Sequence, residues 1–123
     1  MIECKVVSTS RLRAGPDCYN EDHETRTYWP VYTLALRIDD GSPIILRGWH
    51  YVIVDDDSGD MEIADNDGAN YGVPRVTEVS SGHYTITTWE EDIDLVCAPG
   101  REYEIEQAIG NAADSIDYVD PDE

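Results

Sequence analysis

Among its 123 residues the sequence has no phenylalanine, one lysine and three cysteines. The lysine shortage weighs most on function. Eight Lys and Arg stand against 27 Asp and Glu, leaving no basic stripe to contact phosphates. Direct binding of DNA or RNA is therefore not expected. Phosphoryl transfer is disfavoured too, because no Gly-rich phosphate loop is present and Lys5 is the sole lysine. Long apolar runs are missing as well. The longest, Trp49 to Val54, is interrupted by His50 and runs into Asp55, Asp56 and Asp57, far short of the roughly 18–20 residues that span a bilayer. Glu3 and Lys5 interrupt the start of the chain, unlike a secretory leader. The expectation is a cytoplasmic protein that does not engage membranes. Cys4, Cys18 and Cys97 are an odd number without CxxC spacing, so they read as reduced, mostly buried thiols rather than a disulfide framework or a zinc site.

What is present is enough for one folded domain. Apolar residues make up 41% of the chain, more than a disordered sequence carries, with eight Tyr and three Trp replacing the absent Phe. A single core commonly organises about 100–150 residues. The reading is one globular domain over 1–116, followed by a fraying acidic tail over 117–123.

The periodicity is mainly that of strands. Ile2, Cys4 and Val6 alternate with Glu3 and Lys5, predicting a first strand over 2–7. Residues 14–27, with Gly15-Pro16 and four acids, read as a loop. In 28–38, Tyr32, Leu34, Leu36 and Ile38 share one face, and Pro30 predicts an edge position or an irregular start. Asp39 to Ser42 is a turn in which Gly41 would supply a positive φ. A return strand follows over 44–54, with a bulge or bend at Gly48. A short strand begins at Met61, the segments 73–79 and 83–89 form a hairpin around Ser80-Ser81-Gly82, and 94–97 is a last strand. After Pro99-Gly100 the period changes. Ile105, Ala108, Ile109, Ala112 and Ile116 recur at helical spacing, predicting a helix over 101–116 that docks through Ile105, Ile109 and Ile116 and leaves its glutamates in solvent. The fold class is α+β, mostly β: a meandering antiparallel sheet of six or seven strands, partly rolled, with one C-terminal helix.

No chemistry-bearing set emerges. The run Asp55, Asp56, Asp57, Asp60 and Glu62 is dense enough to interest a hard cation, but an EF-hand loop begun at Asp55 would need Gly sixth and Glu twelfth. Here Gly59 is fifth and Asn66 twelfth, and the run reads as a solvated hairpin tip. His23, His50 and His83 have no metal or protease spacing, and neither Cys18 nor Cys97 has a recognisable base partner. Glu90, Glu91, Asp92 and Asp94 contain carboxylates for a glycosidase pair, but neighbours in sequence mostly point to opposite sides of a strand. No catalytic residue, cofactor or metal is expected, and the protein is read as a non-enzyme.

The charge is the remaining feature, and it is lopsided. Residues 1–50 carry seven acids and six bases; residues 51–123 carry twenty acids against Arg75 and Arg101 alone. Salt adaptation would spread acids evenly, so the asymmetry points to a partner. B-DNA carries one charge per about 1.7 Å of axis, so the acidic half matches about 30 Å of duplex, close to the roughly 35 Å breadth of a domain this size. In size and charge the chain is similar to phage-encoded inhibitors of restriction and CRISPR systems, a compositional likeness that transfers no residues. The expectation is an inhibitor that occupies a basic, nucleic-acid-binding surface of a target protein, in the host cytoplasm if phage-encoded. Its contact acids are Asp55, Asp56, Asp57, Asp60, Glu62, Glu90, Glu91, Asp92 and Asp94. An immunity-type protein that neutralises a basic toxin and a halophile-type domain with a small enzymatic or metal site are the alternatives. Homodimer formation through an edge strand is left open.

Overall fold

The computed structural model describes residues 1–10, 19–20, 25–55, 58, 60–63 and 72–118. Ten strands and one helix follow in order: β1 (Ile2–Thr9), β2 (Tyr19–Asn20), β3 (Thr25–Tyr28), β4 (Val31–Ile38), β5 (Ile44–Trp49), β6 (Val52–Asp55), β7 (Met61–Ile63), β8 (Arg75–Ser80), β9 (His83–Thr87), β10 (Asp92–Val96) and α1 (Glu102–Asp114). The protein is mostly β with a single C-terminal helix, as its periodicity predicts. The strands form three antiparallel sheets, β1-β4-β5, β10-β9-β8 and β2-β3-β6-β7, rather than one meander.

The division has a local cause. β4 pairs with β5 from Leu36↔Ile44 to Val31↔Trp49, and the same two chain segments pair again as β3 and β6 from Tyr28↔Val52 to Thr25↔Asp55. They are one long ribbon bent at a corner formed by Trp29-Pro30 and His50-Tyr51. Pro30 has no N–H for a ladder, and its carbonyl accepts from His50 N at 3.0 Å. A strand pair that switches sheets at a bend is a common way to make such a corner. Pro30 thus marks an irregular start, and β4 is the centre of its sheet, not an edge. The predicted loop over 14–27 contains β2 and β3, whose polar sequences form strands because a partner ladder receives them.

Gly48 lies in regular register opposite Tyr32, without a bulge. Its role is space. A Cβ there would come within 2.4 Å of both the Tyr32 hydroxyl and the Gly72 carbonyl. In the β4–β5 turn, Asp39 (φ 48°) and Asp40 (φ 62°) take the left-handed conformation assigned above to Gly41. Gly41 N donates to Ile38 O at 2.9 Å, closing a type I′ turn, and Asp is among the few side chains that tolerate it.

One core joins the first two sheets to the helix. Tyr32, Leu34, Leu36, Ile38 and Leu46 meet Val76, Tyr84 and Ile86, and Ile105, Ile109, Ala112, Ala113 and Ile116 close the cluster. The helix lies against β1, β4 and β8. Its start is held by backbone and side-chain bonds rather than by a capping side chain on Arg101. The Tyr84 hydroxyl donates to Ala98 O at 2.7 Å and accepts from Arg101 N at 2.9 Å. The Glu78 carboxylate accepts from Gly82 N and Gly100 N, while Glu102 Oε1 accepts from Glu78 N at 2.6 Å. Glu102 is therefore a structural acceptor as well as a solvent-facing acid. A second, smaller cluster of Tyr28, Val52 and Val54 lies under the third sheet. Among the described residues no helix is long and apolar enough to cross a membrane.

Candidate functional site

The predicted contact acids that lie among the described residues fall on two hairpins in separate sheets. At the β6–β7 tip, Asp55 N donates to Asp60 O at 2.9 Å and the Asp55 carboxylate accepts from Ser58 N at 3.0 Å. Ser58 Oγ in turn accepts from Asp60 N at 3.2 Å. Asp55 thus shapes the turn through its carboxylate. Asp60 and Glu62 are exposed, whereas Asp56 and Asp57 lie outside the described residues.

The β9–β10 turn is organised by Thr88. Its N–H and hydroxyl both donate to Glu91 O at 2.9 Å, and the hydroxyl oxygen accepts from Glu90 N and Glu91 N. Glu90 is taken by Arg47 of β5, Nη1 to Oε1 at 2.6 Å. Asp92 and Asp94 alternate with half-buried Ile93 and Leu95, so both carboxylates stand on the outer face of β10 at the end of its sheet. Opposite them are Thr87 and Thr85 of β9. The two acids share one exposed side of the strand.

Of the nine predicted acids, Asp60, Glu62, Glu91, Asp92 and Asp94 are exposed and their carboxylates have no ion pair among the described residues. They are spread over two hairpins, and of the five Glu62 also lines the groove described below. No group of three or more His, Cys, Asp or Glu suited to a metal ion occurs among the described residues. Cys4 is half-buried, and burial pushes its thiol up to about 11, which keeps it protonated and unreactive at neutral pH. Cys18 and His23 lie outside the described residues, and His83 is exposed on β9.

Sequence reasoning missed a cluster at the ribbon corner. His50 is 5% exposed, with its Nδ1 2.7 Å from the Tyr118 hydroxyl and its ring 4.7 Å from that of Tyr32. Its Nε2 is buried without a hydrogen-bond partner among the described residues. Burial lowers the His50 pKa below the ordinary value, against an opposing pull from Asp114, and burial raises the Tyr32 and Tyr118 hydroxyls. Tyr118 belongs to the segment expected to fray, but it packs on both clusters and joins them. Beside it, Val52, Met61, Glu62, Asp114, Ile116, Asp117 and Tyr118 line an open groove of about 540 Å³. The one sequence signal for this docking was an aromatic residue within an otherwise acidic tail.

Comparison with family models, with curated proteins and with solved structures finds no match for this chain.

Proposed function

We propose that this chain is a non-enzymatic acidic protein that occupies a basic, nucleic-acid-binding surface of a target protein, acting in the cytoplasm. The observation that carries the reading is the net charge of −19, together with exposed carboxylates on two hairpins, at Asp60, Glu62, Glu91, Asp92 and Asp94, that have no ion pair among the described residues. Carboxylates already held by a neighbour have part of their field neutralised. Free ones project it outward, speed encounter with a positive groove and repel nucleic acid. Each hairpin is held by an antiparallel ladder, of five residue pairs in β9–β10 and three in β6–β7, which carries Glu62, Asp92 and Asp94.

The test is capture followed by competition. The protein is used as bait at about 0.15 M salt, near a Debye length of about 8 Å, and the retained protein is identified. The reading expects a basic nucleic-acid-binding protein whose hold on duplex or RNA is lost as this chain is added. A captured partner that keeps its nucleic acid while bound to this chain overturns it.

A further inference from the structure

The groove beside Tyr118 combines features that the two acidic hairpins lack. Its apolar lining is Val52 of β6, Met61 of β7 and Ile116 just beyond α1. Carboxylates come from three places: Glu62 on β7, Asp114 at the last residue of α1, and Asp117. Among the described residues none of these carboxylates has an ion pair or hydrogen bond, and no Lys or Arg lines the groove. The helix end adds to the field. The C-terminus of a helix carries partial negative charge and favours a cation, yet the last turn of α1 contains no basic residue and ends in Asp114. An aromatic ring stands at the same place, positioned by the 2.7 Å contact between the Tyr118 hydroxyl and buried His50. At about 540 Å³ the space is within the roughly 300–1,000 Å³ of small-ligand sites.

We propose that this groove receives an arginine side chain of the basic partner. The assignment rests on the reading that the partner is basic and names where one of its cations is held. An aliphatic stem would lie on Met61 and Ile116. A planar head with five donors would face carboxylates carried by a strand, a helix end and the segment after it. Arginine suits this better than lysine, because its guanidinium is weakly hydrated, bonds carboxylates through two nitrogens and stacks on aromatic rings. A neutral isostere would leave the negative field unanswered.

The experiment uses the whole ¹⁵N-labelled protein and N-acetyl-argininamide as probe, read by amide chemical shifts. The lysine analogue and the uncharged citrulline analogue are run in parallel. The expected result is saturable shifts centred on Val52, Met61, Glu62 and residues 114–118, about tenfold weaker binding of the lysine analogue, and no response to citrulline. The variant E62Q/D114N/D117N should lose the arginine response, while D60N/D92N/D94N, which removes the same charge, should keep it. Native spectra of both variants establish that they fold. No shifts, shifts scattered over the whole acidic surface, equal loss in the two variants, or an equal response to citrulline would each overturn the groove assignment. That failure would leave partner capture intact. Arginine binding in the groove without any nucleic-acid-binding partner would instead remove the functional reading and keep the groove.

Discussion

The two packed regions of the molecule differ in how many sides enclose them. Around Leu34 and Leu46, two sheets and a helix converge, and Ile86, Ile105 and Ile109 are fully buried. Under the third sheet Tyr28, Val52 and Val54 are buried among the described residues, with Met61 and Tyr118 partly buried against them. The ribbon bent at Trp29-Pro30 and His50-Tyr51 runs through both, so the difference is not one of strand pairing. It lies in the second layer. The large core has a helix and a facing sheet, whereas the small one adjoins the acidic groove. Among the described residues, the first region has the larger buried cluster, and the second borders the groove.

The sharpest way to break this comparison is to charge the large core. Ile109→Asp strands a carboxylate among fully apolar neighbours and should cost more than about 4 kcal/mol, read by denaturant unfolding. A loss under about 1 kcal/mol would mean that the helix is not packed as described. Gly48→Ala acts at the corner itself. Its Cβ would meet the Gly72 carbonyl and the Tyr32 ring, and a cost of about 3 kcal/mol is expected, mostly as strain. In the small cluster, Val54→Ala should cost about 2 kcal/mol, less than Ile109→Ala, because the thinner cover can relax around the space left. A larger loss at Val54 would reverse the ranking of the two regions.

The smallest effect is one of pH, and it lies where the regions join. His50 is held neutral by burial, so its folded pKa is below the ordinary value of about 6.5. Below that pH the unfolded chain binds a proton that the folded chain refuses, and stability falls as pH drops from about 7 towards 5. The loss should be measurable by denaturant unfolding over that interval, and His50→Gln should flatten the slope. The Arg101 guanidinium beside Asp39 holds that carboxyl well below the usual range. Its contribution is present above the ordinary Asp value and is lost only in stronger acid, so the two effects separate along the pH axis.

Much of the large core was legible in the sequence. The alternation in β4 and the helical spacing of Ile105, Ile109 and Ile116 both reflect burial on one face. In the third sheet β6 and β7 were legible but β2 and β3 were not, because Thr25-Arg26-Thr27 has no apolar period and forms a strand against β6. The run from Ile44 to Val54 looked continuous because a corner changes the partner sheet while leaving the residue types unchanged. At the site, composition revealed the acids but not which were already engaged. Asp55 in its turn and Glu90 with Arg47 look the same in sequence as Asp92 and Asp94. The groove was hidden because Glu62 and Asp114, which line it together with Tyr118, are distant in the chain.

The most direct test of the functional account compares two variants that lose equal charge. One is Asp60→Asn, Glu91→Gln, Asp92→Asn and Asp94→Asn, on the two hairpins. The other is Glu3→Gln, Asp40→Asn, Glu104→Gln and Glu106→Gln, all exposed elsewhere. Association with the captured partner is measured by surface plasmon resonance at low and at near-physiological salt. The account predicts that the hairpin variant associates at least about tenfold more slowly than the other and loses most of the salt dependence, because placed charges steer the encounter. Equal slowing by both variants would mean that bulk charge alone governs binding, which would contradict the proposal that these hairpins present an acidic surface shaped for a basic partner.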